Sequence, residues 1–395
     1  MHYAVPKILE SAGLLHRFYT DIYADSRPLK YLRCLIPNAA TPSSLKALFD
    51  RKAEGISNEK IESFPVFGLH SALRARLISS LAEKTAEYLR EGRHFGRLVT
   101  AKLSPEIDAV YAFKSAALEI LEWCNSHGVL TVVEQPSIYR PAMHRLVSEE
   151  RETYPDWSLS EQEDHYAEKQ ARRDREEWDR ADLIICPSNF VQQGIEEGGG
   201  PVERTIVVPY GVDFTSRSSP RAFPSRPLRV LTVGTIGLHK GAVYLMQAAR
   251  NSEATFRAVG TVNLSAYGRR QLAHSVDLRG RVPRSEIHKH YEWADVFLLP
   301  SLCEGSATVT YEALAYALPV ICTPNTGSIV RDQREGFIVP IRDAASIVDC
   351  IEQLSTDASL YEQMSSQALR RYNQEGSVQA YGKRLVDAIG HLAQT

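Results

Sequence analysis

Short apolar runs of strand length alternate with helix-length segments along almost the whole chain, the pattern of βα units around parallel sheets rather than of sandwiches or bundles. In the first part this predicts strands at Arg17–Thr20, Ala109–Phe113, Leu130–Glu134, Leu183–Cys186 and Thr205–Pro209. A helix over Ser115–Ser126 carries Leu118, Leu121 and Trp123 at near-helical spacing. A second set of strands falls at Arg229–Val233, Thr255–Ala258, Val276–Arg279, Asp295–Pro300, Pro319–Thr323 and Phe337–Pro340. Each set predicts a sheet of its own. Between them, Asp213–Arg226 is crowded with Ser, Arg and Pro, a composition that suits a linker. The fold class is α/β with two Rossmann-like lobes, divided as residues 1–213, a linker 214–227, residues 228–376 and a terminal helix 377–395. In that last segment Tyr381, Leu385, Ile389 and Leu392 form an apolar stripe at helical spacing, which favours packing over ligand binding.

Two stretches depart from this alternation. Residues 145–182 hold thirteen acidic and seven basic side chains, with Trp157, Tyr166 and Trp178 as apolar members. They read either as a solvated helical excursion or as the flank of an acceptor cleft. Residues 1–105 hold sixteen Lys and Arg against ten Asp and Glu, a local excess that suits anionic headgroups or pyrophosphates and a peripheral membrane contact.

Over the whole chain, 46 Lys and Arg balance 48 Asp and Glu, so no global basic field exists for nucleic acid. No apolar run reaches the length that spans a bilayer. Met1–Leu15 lacks the continuous apolar core of a leader peptide, and the six cysteines include no CxxC pair. A reducing, cytoplasmic setting, peripheral on a membrane at most, is the expectation.

Candidate chemistry concentrates at two strand–turn–helix junctions. In Asp295-Val-Phe-Leu-Leu-Pro-Ser-Leu-Cys-Glu304-Gly-Ser-Ala-Thr-Val-Thr-Tyr-Glu312, a buried strand ends at Pro300 and the small residues Gly305–Thr308 turn into a helix. Free N–H groups of such a turn and helix start make an anion site. Glu304 before the turn and Glu312 inside the helix can both face the carboxyl end of the sheet, where open α/β folds bind ligands. One phosphate site flanked by two carboxylates suits a nucleotide sugar. Spacing alone equally allows a capping carboxylate and an exposed helix residue. The other junction, Val233-Gly234-Thr235-Ile236-Gly237-Leu238-His239-Lys240-Gly241, lets the backbone approach a phosphate while Lys240 supplies counter-charge. It could also be a surface lysine after a tight turn. Neither GxGxxG nor GxxxxGK[ST] occurs, which disfavours a dehydrogenase or an NTPase. Nucleophile-elbow and HExxH patterns are absent as well, and His288 and His290, two apart on a helix, point away from each other.

Taken together, Gly234–Gly241, the Glu304-x7-Glu312 helix, the Ala-Leu-Ala-Tyr-Ala-Leu-Pro-Val-Ile run after it and Thr323-Pro-Asn-Thr-Gly-Ser resemble retaining glycosyltransferases of family 4, with the two-lobed GT-B fold. The resemblance is dense over residues 228–345, looser through 181–190 and 207–213, and thin before residue 105. It implies that Lys240 binds the donor diphosphate, Glu304 the transferred sugar and Glu312 the ribose. Gly237, Thr235 and His239 line the same donor site, the amides of Gly305, Ser306, Ala307 and Thr308 sit under the β-phosphate and sugar hydroxyls, and Val282 in the Gly280-Arg-Val-Pro turn lies near the base. Glu304 and Lys240 are then the catalytic pair, and Glu134 and Gln135 face the acceptor. The implied reaction moves a hexose-type sugar from a nucleoside diphosphate sugar to a saccharide or lipid-linked saccharide, as in bacterial surface polysaccharide synthesis. No metal or other cofactor is implied, since no Asp-x-Asp motif appears. The terminal helix crosses back to the N-terminal lobe, with an interdomain cleft between the lobes. The chain departs from the family pattern where Thr235 and His239 occupy positions often held by arginine, where Ser306 replaces a common Phe-Gly pair, and where Glu134-Gln135-Pro136 follows a strand often ended by histidine. Its opening, with His2-Tyr3 leading into a helix, is expected to start at or beyond the family's glycine-rich loop. A sugar phosphorylase or epimerase of the same fold and a catalytically silent nucleotide binder are the alternatives.

Overall fold

The computed structural model describes residues 3–24, 51, 55–78, 80–159 and 166–392. The strands are β1 (Phe18–Thr20), β2 (Ile61–Ser63), β3 (Ala109–Phe113), β4 (Leu130–Glu134), β5 (Leu183–Cys186), β6 (Thr205–Val207), β7 (Arg229–Val233), β8 (Ile236–Gly237), β9 (Thr255–Val259), β10 (Val262–Asn263), β11 (Val276–Gly280), β12 (Val296–Leu299), β13 (Val320–Cys322) and β14 (Gly336–Ile338). The chain is mixed α/β with parallel sheets, as the alternation predicts. Four strands form one sheet in the order β3-β4-β5-β6, and six form another in the order β11-β9-β7-β12-β13-β14. The strand expected at Arg17–Thr20 is present as β1, but it pairs with β2 in a sheet of its own instead of joining β3–β6, and β2, β8 and β10 were not legible in the sequence, because two or three residues carry no periodicity.

The six-stranded sheet explains its own sequence. Every pair in it is parallel, and both faces are covered. Val230, Val296, Leu298 and Ile321 enter one apolar cluster, whereas Leu231, Phe297, Leu299, Val320 and Cys322 enter another. Alternate side chains therefore go to opposite faces and both must be apolar, which produces unbroken runs such as Val-Phe-Leu-Leu. Contacts divide the chain into two compact units, Met1–Glu134 with Gln162–Ile184 and Gly382–Thr395, and Gln135–Glu161 with Ile185–Tyr381.

Within the first unit the charged stretch differs from a solvated excursion. The helix Ala167–Arg180 buries Gln170, Ala171, Arg173, Asp174, Glu177 and Trp178. Lys114 Nζ lies 3.1 Å from Asp174, and the Glu177 carboxylate accepts from the N–H groups of Ser115 (2.7 Å), Ala117 (3.3 Å) and Leu118 (3.1 Å). That carboxylate caps the start of an earlier helix from outside. Consequently the helix runs Leu118–His127 and not from Ser115, whose φ of 71° places it in the left-handed region. Periodicity could not reveal a cap delivered from about sixty residues away. The opening helix, Ala4–Ser11, begins directly after Tyr3.

The stretch 214–226 has no regular structure but is pinned: Arg221 donates to the carbonyls of Tyr316 (2.9 Å) and Tyr291 (2.8 Å). The last helix, Val378–Leu392, buries Tyr381, Leu385 and Ala388, and Gly382 lies against Ile8 of the same unit. Truncation after Gly382 is expected to lower the melting temperature by about 5–10 °C, from the lost apolar burial. An unchanged melting curve contradicts this.

Candidate functional site

Strand order places the two junctions side by side. From β7 the chain moves outward through β9 to β11, and from β12 it moves the other way through β13 to β14. The reversal lies between the paired strands β7 and β12, and open α/β sheets bind ligands beyond the carboxyl ends of strands at such a point. Gly234–Gly241 follows β7, and Ser301–Thr308 follows β12.

The first junction is shaped by glycine at two positions. Gly234 has φ 130°, and a Cβ there would sit 3.2 Å from the Lys240 ammonium, so its absence leaves the lysine room to fold back. Gly241 has φ 69°, and a Cβ would be driven to 2.0 Å from the Pro300 carbonyl. Only glycine permits that approach of the two junctions. The carbonyl of His239 accepts from Leu302 N–H (2.8 Å), tying one loop to the other. Lys240 Nζ forms an ion pair with Glu304, both side chains being largely buried. Burial lowers the His239 pKa below 6.5, with Glu304 opposing and Lys240 reinforcing the shift. His239 is therefore a neutral hydrogen-bonding group at pH 7 and not a substitute for arginine's charge. Because imidazolium exists only below that value, UDP affinity measured by calorimetry should be flat from pH 7 to 8, with any gain due to His239 confined to more acidic solution. A fall between pH 7 and 8 that His239→Gln removes contradicts this.

At the second junction the turn is held by its neighbours while some donors stay free. Glu304 N–H donates to the Asn325 carbonyl (3.0 Å) and Ala307 N–H to the Thr326 carbonyl (3.1 Å). Asn325 Nδ2 reaches Leu302 O (2.7 Å). The Ser306 hydroxyl donates to Gly327 O (2.9 Å), and Ser188 Oγ donates to Gly305 O (2.6 Å). The N–H groups of Gly305, Ser306 and Thr308 have no acceptor among the described residues. The helix Thr308–Ala315 also has no side-chain cap. Unsatisfied donors at a helix start with a lysine beside them form an anion-binding arrangement.

Glu312 is 2 % exposed and fixed on both oxygens, by the Tyr291 hydroxyl (2.7 Å) and by Arg284 (2.8 Å). Complete burial, with Glu312 beside it, holds the Tyr291 phenol well above its usual pKa of 10, so it stays a donor. Thr235 is exposed, Gly237 is buried, and Val282 packs half-buried on the second apolar cluster. Glu134 and Gln135 are buried. Glu134 accepts from the Tyr111 hydroxyl, and Gln135 Nε2 donates to the Ser137 carbonyl (2.7 Å). Sequence reasoning missed Tyr291 and Arg284, and it gave no role to Asn325 although that residue lies in the Thr323-Pro-Asn stretch. Tyr291 lay in view beside the histidine pair, but nothing in the spacing joins it to Glu312 twenty-one residues on. No cluster of His, Cys, Asp and Glu able to hold a metal ion occurs among the described residues, and no described helix is long and apolar enough to cross a membrane.

The family model described as glycosyl transferases group 1 matches residues 227–357, the span that carries both junctions. That span is a group 1 glycosyltransferase match. WcaL of Escherichia coli strain K12, a glycosyltransferase named for colanic acid biosynthesis, is 30% identical over 204 residues, 45% of this chain and 49% of the relative. The amylovoran biosynthesis glycosyltransferase AmsK of Erwinia amylovora is 27% identical over 44% of this chain and 47% of its own. The chain thus spans about half the length of the curated relatives it matches. HepE of Anabaena, solved in complex with UDP, superposes with a TM-score of 0.61 at 17% identity, covering 94% of this chain and 99% of HepE. Sucrose-phosphate synthase of Thermosynechococcus elongatus gives 0.62 at 19% identity over 80% and 82% of the two chains. The chain has the GT-B fold of these glycosyltransferases.

Proposed function

We propose that this chain is a retaining glycosyltransferase that moves a hexose-type sugar from a UDP-sugar to a saccharide or lipid-linked saccharide acceptor in bacterial surface polysaccharide synthesis. The observation that carries the reading is the Lys240–Glu304 pair set between β7 and β12 beside the unbonded amides of Gly305, Ser306 and Thr308. The match to group 1 glycosyltransferases and the UDP held by HepE support it.

As the bond from the anomeric carbon to the β-phosphate oxygen breaks, negative charge grows on the leaving diphosphate, and Lys240 with the three amides stabilises that charge. Glu304 holds the lysine and accepts from sugar hydroxyls, and Glu312, fixed by Tyr291 and Arg284, accepts from the ribose. Glu304 is assigned in this reading to the sugar hydroxyls and not to the anomeric carbon, which leaves no nucleophile for double displacement. Attack by the acceptor oxygen on the face the diphosphate leaves, with its proton passing to the departing phosphate oxygen, preserves the anomeric configuration. Proton NMR of the product should show the donor's configuration retained; inversion contradicts the reading. Charge neutralisation by Lys240 and the amides removes the need for a divalent ion, so EDTA is expected to leave the rate of UDP release unchanged. Abolition by EDTA, restored by a divalent metal, contradicts that. The acceptor falls to the N-terminal lobe, residues 1–213, at Glu134 and Gln135, and the enzyme works on the cytoplasmic side of the membrane.

A further inference from the structure

The two partners of Glu312 close it from opposite directions. Tyr291 has no exposed surface, and its hydroxyl donates to one carboxylate oxygen from within the core (2.7 Å). Arg284 lies 2.8 Å from the other oxygen; its side chain is 70% exposed, whereas that of Glu312 is 2% exposed. The carboxylate keeps spare lone pairs, but the way to them from solvent runs past the guanidinium.

These partners are held very differently. Tyr291 stacks with Tyr316 and Phe297 (centroids 5.4 and 6.1 Å apart), so it cannot leave without opening the core. Arg284 stands in a short turn, Arg284–Glu286, just before the helix Ile287–Trp293. It pairs with no other carboxylate among the described residues. Its guanidinium also rests 5.2 Å from the centre of the Phe214 ring. That ring is a fixed ledge: it packs edge-on against Tyr291 (5.7 Å) and Tyr316 (5.6 Å), and the Phe214 carbonyl accepts from the Tyr372 hydroxyl (2.6 Å). An ion pair whose cation is solvated and screened is weak, so Arg284 is the partner that can give way.

We propose that Arg284 is a movable cap on Glu312, closing the carboxylate from the solvent side and yielding to the ribose hydroxyls when a nucleotide binds, while Tyr291 keeps its place. The cap rests on the ribose role given to Glu312 above, and of the two groups that fix that carboxylate it assigns one to stay and one to move. A closed cap keeps a buried charge paired. A cap that must open first also lowers apparent affinity by the fraction of the time it stands open. It does so only for a ligand that brings hydroxyls to Glu312.

Calorimetric titration of the full chain, Arg284→Ala and Arg284→Gln, each with UDP and with a UDP analogue lacking both ribose hydroxyls, tests the proposal. The ratio of the analogue's Kd to that of UDP is expected to rise about three- to tenfold in both variants. Loss of a positive charge near a diphosphate acts on both ligands alike, so the ratio isolates the cap. Glutamine preserves most of the side chain's bulk, which keeps the test open should the alanine variant fail to fold. A ratio unchanged or lowered in the variants overturns the cap. Glu312→Ala separates this from the functional reading. If Glu312→Ala lowers the native ratio and neither Arg284 variant raises it, the cap alone falls. If Glu312→Ala leaves the native ratio unchanged, or the native chain binds no UDP, the ribose role of Glu312 falls and the cap with it.

Discussion

Lys240→Ala is expected to lower the rate of sugar transfer by about 10²–10³-fold, the cost of removing one electrostatic group aimed at developing negative charge. The side chain is confined on two sides. It lies over Gly234, where a Cβ would stand 3.2 Å from its Nζ, and it pairs with Glu304. Its removal takes away the cation paired beside the free amides of Gly305, Ser306 and Thr308 and leaves Glu304, a largely buried carboxylate, without an ionic partner and repelling a diphosphate. UDP affinity should fall with the rate. Lys240→Arg should not restore either, because the branched guanidinium does not fit a space shaped to an ammonium. Rates within about threefold of the native enzyme in Lys240→Ala, at an unchanged melting temperature, remove Lys240 from the mechanism.

The largest stability effect is expected at Glu177. Its carboxylate, wholly buried, holds three backbone N–H groups between 2.7 and 3.3 Å, and Arg173 Nε lies 3.4 Å from it. Glu177→Ala orphans those buried donors, while Arg173 keeps its pair with Glu119 (2.5 and 3.0 Å), so denaturant unfolding should show a loss of about 3–5 kcal/mol. Burial pushes the Glu177 carboxyl up to about 7 from 4.5, against the opposing pull of the Ser115 amide and Arg173. Between those values the folded chain holds a proton that the unfolded chain has released. The stability that proton lends is present at acid pH and lost as pH rises through 7, and the deficit of the alanine variant should accordingly be larger at pH 5 than at pH 8. A deficit under about 1 kcal/mol shows that the cap is dispensable.

Both junctions and the sheet that presents them were legible because their signals are local. Apolar runs mark β7 and β12, and glycines and small residues mark the turns after them. Thr308–Ala315 follows as a helix with Glu312 inside it. What escaped was long-range. The fixing of Glu312 by Tyr291 and Arg284, the capping of Leu118–His127 by Glu177, and the packing of Gly241 on Pro300 join residues from separate elements, which no period along one chain encodes. Residues 145–182 misled for the same reason. Composition alone reads thirteen acids as a solvated face, yet Glu150 is buried against Tyr244 (3.0 Å) and Arg342 (3.1 Å), and Asp174 and Glu177 against partners far away in sequence. His239 shows the same limit: it stands where arginine is often found, and the burial that keeps it neutral is not written in its position.

The central claim is that the β7 and β12 junctions bind a nucleoside diphosphate sugar, and a thermal-shift series with UDP, GDP, dTDP, ADP and CMP on the intact chain beside Glu312→Ala tests it most directly. A nucleotide at about 100 times its Kd stabilises by roughly 2.7 kcal/mol, an easily resolved shift. The account predicts that UDP stands apart from the other four and that Glu312→Ala, measured against its own ligand-free melting point, loses most of the UDP shift. No shift with any nucleotide, or a UDP shift that Glu312→Ala keeps in full, contradicts it.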